Sequence, residues 1–169
     1  IQEDVLDHGP HIVIVQFGCN DVRYEPDKHT PVREFVENLG QIAARVAEIG
    51  AQVILTTPSP IINERHPYSL AVDYYDKWGG CNQALLEYVE GVREAGRIIP
   101  AKVCDIYEAF VAKAIEAEFR SEAADHSDML SLQRYISFED GIHPTPTGHQ
   151  LIALELYKTL ISTDLIPNV

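Results

Sequence analysis

The run His11-Ile12-Val13-Ile14-Val15-Gln16-Phe17 constrains this chain more than any other stretch. Four consecutive β-branched aliphatic residues leave no alternate position for water, so the pattern does not suit a strand with one wet face. It suits a strand covered on both faces, which is the setting of a parallel sheet between two layers of helices. The run stops abruptly at Gly18-Cys19-Asn20-Asp21. Thr30-Pro31 then reads as a helix cap followed by proline in the first helical position, and Val32, Phe35, Leu39, Ile42, Val46 and Ile49 recur at steps of three and four up to Gly50. A second short strand over residues 52–57, carried by Val53-Ile54-Leu55, ends at Pro58-Ser59-Pro60.

The same alternation continues to the far end. Residues 58–75 read as a long polar loop, residues 81–95 as a helix carried by Leu85, Tyr88, Val89 and Val92 and closed by Gly96. Residues 98–104 form a third strand in which Pro100 argues for an edge position or an entry bend. Residues 105–119 are helical in pattern, and 120–139 form a charge-rich flap with one helical turn between Met129 and Tyr135. Thr145-Pro146 opens a last helix through Leu151, Leu154, Leu156 and Leu160, while residues 1–7 resemble the tail of a helix punctuated by Gly9-Pro10. Strand and helix in turn predict right-handed parallel crossovers and a three-layer α/β/α sandwich, with chemistry at the carboxyl ends of the strands.

Composition narrows the function classes. At 169 residues the chain is one domain of ordinary size, able to bury a core without metal or disulfide staples. With 13 Lys+Arg against 26 Asp+Glu its formal charge is −13, which repels nucleic acid and anionic lipid alike. No apolar run reaches the ~20 residues of a membrane span. Cys19, Cys81 and Cys104 are odd in number and widely spaced, so they write neither a disulfide framework nor a zinc knuckle, and they favour a reducing, cytoplasmic setting.

Two polar clusters could carry chemistry. Gly18-Cys19-Asn20-Asp21 follows the most hydrophobic strand: a small residue lets the chain turn, and the Asn20 amide becomes a fixed N–H donor where a ligand would sit. An ordinary turn, with Asp21 bonding neighbouring backbone, is the alternative. Asp140-Gly141-Ile142-His143-Pro144 sets a carboxylate one turn from an imidazole, able to hold Nδ1 and leave Nε2 free as a base. A turn-capping Asp beside an exposed His is the alternative there.

In this order and context, the two clusters resemble the G-x-N-D and D-x-x-H blocks of the SGNH (GDSL-type) serine esterases and lipases, and the similarity spans essentially the whole chain. The resemblance implies a flavodoxin-like sandwich hydrolysing a small carboxylic ester without a cofactor or metal. Within it His143 would be the general base and later acid, Asp140 its orienting partner and Asn20 an oxyanion donor, with Gly18 and Asp21 shaping the site backbone.

The chain departs from that family in one respect. Its seven serines, Ser59, Ser69, Ser121, Ser127, Ser131, Ser137 and Ser162, include none after Gly-Asp and none in a Gly-x-Ser-x-Gly elbow. The expectation is therefore an N-terminally incomplete domain, lacking one βαβ beginning of roughly 30 or more residues and with it the nucleophile. The strand over residues 12–17 would then be an open hydrophobic edge that dimerises or recruits a complementing segment. Two rivals stand beside the serine esterase: a silent binding module of the same fold, and a hydrolase using Cys19 with His143. Cys19 otherwise reads as an inert thiol, Ser59 as unexposed, His66 and His149 as surface histidines rather than metal ligands with Asp140 and His143, and Tyr74, Tyr75 and Trp78 as cover for the sheet.

Overall fold

A computed structural model of the chain describes residues 1–71, 73–120 and 132–165. Its three strands, β1 (Ile12–Gln16), β2 (Gln52–Thr56) and β3 (Lys102–Cys104), form one parallel sheet in the order β1-β2-β3. Val15 stands opposite Leu55, and Leu55 opposite Val103. Helix α1 (Val32–Glu48) returns the chain from β1 to β2, and the short α2 (Pro67–Ala71) and long α3 (Cys81–Ile98) lie between β2 and β3. Helices α4 (Ile106–Arg120) and α5 (Pro146–Ser162) follow.

The sandwich layers follow from which face each aliphatic stripe meets. Phe35, Leu39 and Val46 of α1 join Leu85, Tyr88, Val89 and Val92 of α3 against Val53 and Leu55 on one face of the sheet. Ile54 on the other face meets Ile106 and Phe110 of α4, Leu151 of α5 and the buried Ile136. β2 is thus covered on both sides, with Ile54 and Leu55 both 0 % exposed. At roughly 1.5–3 kcal/mol for each fully buried large aliphatic side chain, this double layer is the main source of stability. No helix among the described residues is long and apolar enough to cross a membrane.

The double burial expected of β1 belongs to β2 instead. β1 is an edge of the described sheet: Val15 is buried, but Ile14 is 46 % and Phe17 54 % exposed. The hydrophobic run is therefore a strand whose outer surface nothing among the described residues covers. β3 occupies the opposite edge, as Pro100 before it implied.

Several boundaries move for physical reasons. Helix α3 runs past Gly96 to Ile98, because that glycine is a point of close approach and not a stop: a Cβ there would meet Val103 Cγ2 at 2.1 Å. Helix α1 starts at Val32 with Pro31 in extended conformation as its cap, and Thr30 gives its N–H to the Asp21 carbonyl instead of capping. The expected cap at Thr145 does form, its hydroxyl accepting from Gly148 N at 3.1 Å with proline at the helix start. In place of a helix tail, residues 1–8 hold a turn and a 3₁₀ helix over Leu6–His8, closed by Gly9 in the left-handed region.

The segment after β2 is not a solvated loop. Thr57, Ser59, Ile61, Ile62 and His66 are buried, and α2 and a 3₁₀ turn over Asp73–Trp78 follow. Burial is tolerated because side chains pair the backbone where the segment meets the start of α3: Asn82 Oδ1 accepts from Ile61 N at 2.8 Å, and Asn63 Oδ1 in return accepts from Asn82 N at 2.7 Å. Most of the expected flap, residues 121–131 with Met129 among them, lies outside the described residues. Its last part belongs to the core, with Tyr135 and Ile136 buried and Ile136 bridged to Pro144.

Candidate active site

At the carboxyl end of β1 the chain turns through Gly18, whose φ of 117° is a conformation that favours glycine. Asp21 closes this turn with its own carboxylate, Oδ2 accepting from Gly18 N at 2.9 Å. Two tyrosines pin the next residues: Tyr75 donates to the Val22 carbonyl at 3.1 Å, and Tyr88 Oη lies 3.1 Å from the Asp21 carbonyl and 2.6 Å from that of Thr30. Burial raises both phenols above their ordinary range, so they remain donors. Between these anchors Asn20 is exposed, and its side-chain amide has no hydrogen-bond partner among the described residues.

The second cluster is built on a tight hairpin. Ser137 N donates to the His143 carbonyl, Gly141 N to Ser137 O and Thr145 N to Tyr135 O, each within 2.9 Å. Gly141, at φ 72°, faces segment 62–66, whose ends Ile62 and His66 are buried: its carbonyl accepts from Ile62 N at 2.8 Å, and a Cβ there would lie 2.6 Å from Ile62 O. Asp140 Oδ1 accepts from Ile142 N and His143 N at 3.0 Å, while Oδ2 lies 2.8 Å from His143 Nδ1. Loss of hydration pushes the Asp140 carboxyl up, but the two backbone N–H groups and the His143 ring outweigh it and hold it down at about 2. The carboxylate can thus keep the proton on Nδ1, leaving Nε2 to act.

Both clusters meet. Asn20 and His143 line one cleft of about 350 Å³ with Gly18, Cys19, Asp21 and Ser59, walled by Phe17, Pro58, Ile142, Pro144 and Ile152 and joined by His149. Residues far apart in the chain converge because β1 ends where the hairpin before α5 folds over it.

Other sequence-derived candidates resolve differently. Burial pushes the Cys19 thiol up to about 12 and its Sγ faces the Ser59 carbonyl at 3.8 Å, an arrangement that keeps it protonated and poorly nucleophilic. Ser59 lines the cleft but is only 6 % exposed. His149 is exposed, whereas His66, expected at the surface, is 2 % exposed beneath the Asp140 hairpin. No group of three or more metal-ligating side chains occurs among the described residues. Tyr74, Tyr75 and Trp78 pack together over the sheet and do not line the cleft. The pinning hydroxyls of Tyr75 and Tyr88 and the buried His66 escape a sequence reading: Tyr88 sits on the apolar stripe of α3, where its hydroxyl leaves no trace in the periodicity.

Comparison with known proteins identifies the family and the fold. The GDSL-like Lipase/Acylhydrolase family model matches residues 1–156. A GDSL esterase/lipase of Arabidopsis thaliana is 28% identical over 166 residues, covering 95% of this chain and 47% of its own length. A lipase/acylhydrolase from Enterococcus faecalis superposes with a TM-score of 0.67 at 23% identity, covering 94% of this chain and 65% of the other. An acetylxylan esterase from Geobacillus stearothermophilus does so with a TM-score of 0.66 at 21% identity, covering 95% and 64%. The chain thus spans about half the length of the Arabidopsis relative and less than two thirds of those two structures. Matched by the family model along nearly all of its residues and sharing the fold of the SGNH hydrolases, the chain belongs to the GDSL-like Lipase/Acylhydrolase family.

Proposed function

We propose that this chain carries the base, the orienting acid and one oxyanion donor of a carboxylic ester hydrolase. The observation that supports it most is the convergence of the free Asn20 amide and the Asp140-held His143 imidazole on one cleft. The solved Geobacillus enzyme adds a parallel: its catalytic mutants replace a serine, an aspartate and a histidine, the aspartate three positions before the histidine, as Asp140 precedes His143 here.

In this reading a serine hydroxyl gives its proton to His143 Nε2 as Oγ attacks the ester carbonyl carbon. The tetrahedral oxyanion accepts an N–H from Asn20, and the imidazolium is stabilised by Asp140. Collapse breaks the bond to the alcohol oxygen, which takes the proton from Nε2. Water then repeats the sequence on the acyl-enzyme and restores the serine. Phe17, Ile142, Pro144 and Ile152 offer apolar contact to a small ester.

In this reading the serine comes from a segment outside this chain: none of its seven serines follows Gly-Asp, and Ser59, which lines the cleft, is nearly buried. That segment would pair along β1, where Ile14 and Phe17 are exposed and a second groove of about 380 Å³ opens between Ile1, Phe17 and the Phe35, Leu39 and Ile42 face of α1. A second copy of the chain is the other candidate for this edge. Hydrolysis of p-nitrophenyl acetate and labelling by a serine-directed phosphonate, measured on this chain and on a product extended ahead of Ile1, test the reading. Turnover and labelling of the extended product, lost in His143→Ala, are expected. A folded extended product that neither turns over nor labels would leave a silent binding module instead.

A further inference from the structure

His66 is 2 % exposed, and its Nδ1 is buried with no hydrogen-bond partner among the described residues. An unpartnered polar atom in the interior is costly, roughly 1–3 kcal/mol, and is uncommon enough to require a reason. The His66 ring packs nearly perpendicular to that of Tyr68 at a centroid distance of 4.9 Å, and a Cβ on Gly141 would fall 2.8 Å from the His66 backbone nitrogen. Segment 62–66 is therefore the floor on which the Asp140-to-His143 hairpin rests, with the hydrogen bond from Ile62 N to Gly141 O fastening the two.

Charge completes the picture. Three groups act on the ring electrostatically: Asp140 favours its protonation, whereas Arg23 from the loop after β1 and His143 oppose it. Arg23 itself lies over the ring of Tyr68, the tyrosine His66 packs against, at 4.5 Å, and Arg65, the residue before His66, stacks on Phe138 at 3.6 Å. Burial is the largest influence and lowers the affinity of the ring for a proton.

We infer that His66 is a positioning residue, an uncharged buried imidazole that holds the Asp140–His143 pair in place and releases it when the ring takes a proton. Protonated, the ring would compete with His143 for the Asp140 carboxylate and draw water beneath the hairpin, loosening the Gly141 contact. The importance of this for turnover rests on the ester-hydrolase reading, but the coupling itself does not require that chemistry.

The test is ¹⁵N-edited NMR of the histidine rings of this chain between pH 7 and pH 4. His66 and His143 are assigned with the His66→Gln and His143→Gln variants. The His143 Nδ1–H resonance reports its hydrogen bond to Asp140. In the parent protein that resonance is expected to vanish in the same step in which His66 gains its proton, below the ordinary histidine range. In His66→Gln and His66→Phe, which cannot take that proton, it should persist to lower pH. Loss of the resonance at the same pH in either folded variant would overturn the inference. So would protonation of His66 in the parent with the resonance unchanged, a comparison that decides the matter even if neither variant folds. Failure of ester hydrolysis with this coupling intact would count against the function alone.

Discussion

His143 Nδ1 lies 2.8 Å from Asp140 Oδ2, while Asp140 Oδ1 receives the backbone N–H groups of Ile142 and His143 itself. One carboxylate thus shapes the turn that presents the imidazole and can hold the proton on its Nδ1. Two tasks on one side chain make the pair sensitive to charge, and substitutions can separate them.

Asp140→Asn keeps an oxygen for the turn but can offer its amide N–H to the ring, favouring the wrong tautomer. Turnover of an extended, active product should fall by about 10⁴-fold while its thermal midpoint stays within a few degrees of the parent. Turnover within tenfold of the parent would remove Asp140 from its assigned role.

Asn20→Ala removes an exposed amide that supports nothing else among the described residues. The expected loss is ~10²-fold to 10³-fold in kcat with little change in KM or stability, because the donor acts on the oxyanion and not on the ground-state ester. A change confined to KM would recast Asn20 as a binding residue.

Gly141→Ala should destabilise the fold by about 1–3 kcal/mol, through a positive φ and a clash with Ile62 O at 2.6 Å. Urea denaturation measures it. Gly9, also at positive φ but with open space around it, should cost less when changed to alanine.

Cys19 should resist iodoacetamide at pH 8 in the folded chain, since burial holds its thiol protonated to about 12. Mass spectrometry would detect modification on unfolding only. Fast alkylation of the native protein, accompanied by loss of activity, would revive a thiol mechanism.

Acid should destabilise the protein in two stages of the same sign. His66 has a lowered proton affinity when folded, so the unfolded chain binds a proton below about 6.5 that the folded chain resists, and stability declines from there. Asp140, held at about 2, contributes stability that is present above its unfolded value near 3.9 and is lost as pH falls from there towards 2. Thermal midpoints from pH 7 down to 3 should fall throughout, and His66→Gln should flatten the first stage only. A midpoint that rises on acidification from 6.5 to 5 would contradict the assignment.

The alternation of continuous aliphatic runs with stripes recurring at steps of three and four was enough to determine strand, helix and parallel sheet, because burying those surfaces admits few arrangements. The spacing within Asp140-Gly141-Ile142-His143 likewise determined a local pair, since three residues of chain suffice to bring a carboxylate to an imidazole. Longer-range outcomes were left to the tertiary structure. It assigned the fully covered strand to β2 and left Ile14 of β1 and Phe17 just after it exposed, because coverage depends on which elements exist beside a strand and not on its own hydrophobicity. It carried α3 through Gly96, where the approach of Val103 decides what a missing Cβ is for. It also buried His66 under the hairpin and brought Asn20 to the cleft of His143. Such contacts join segments distant in the chain, and the free energy that selects them lies in packing the whole sandwich, which no local pattern records.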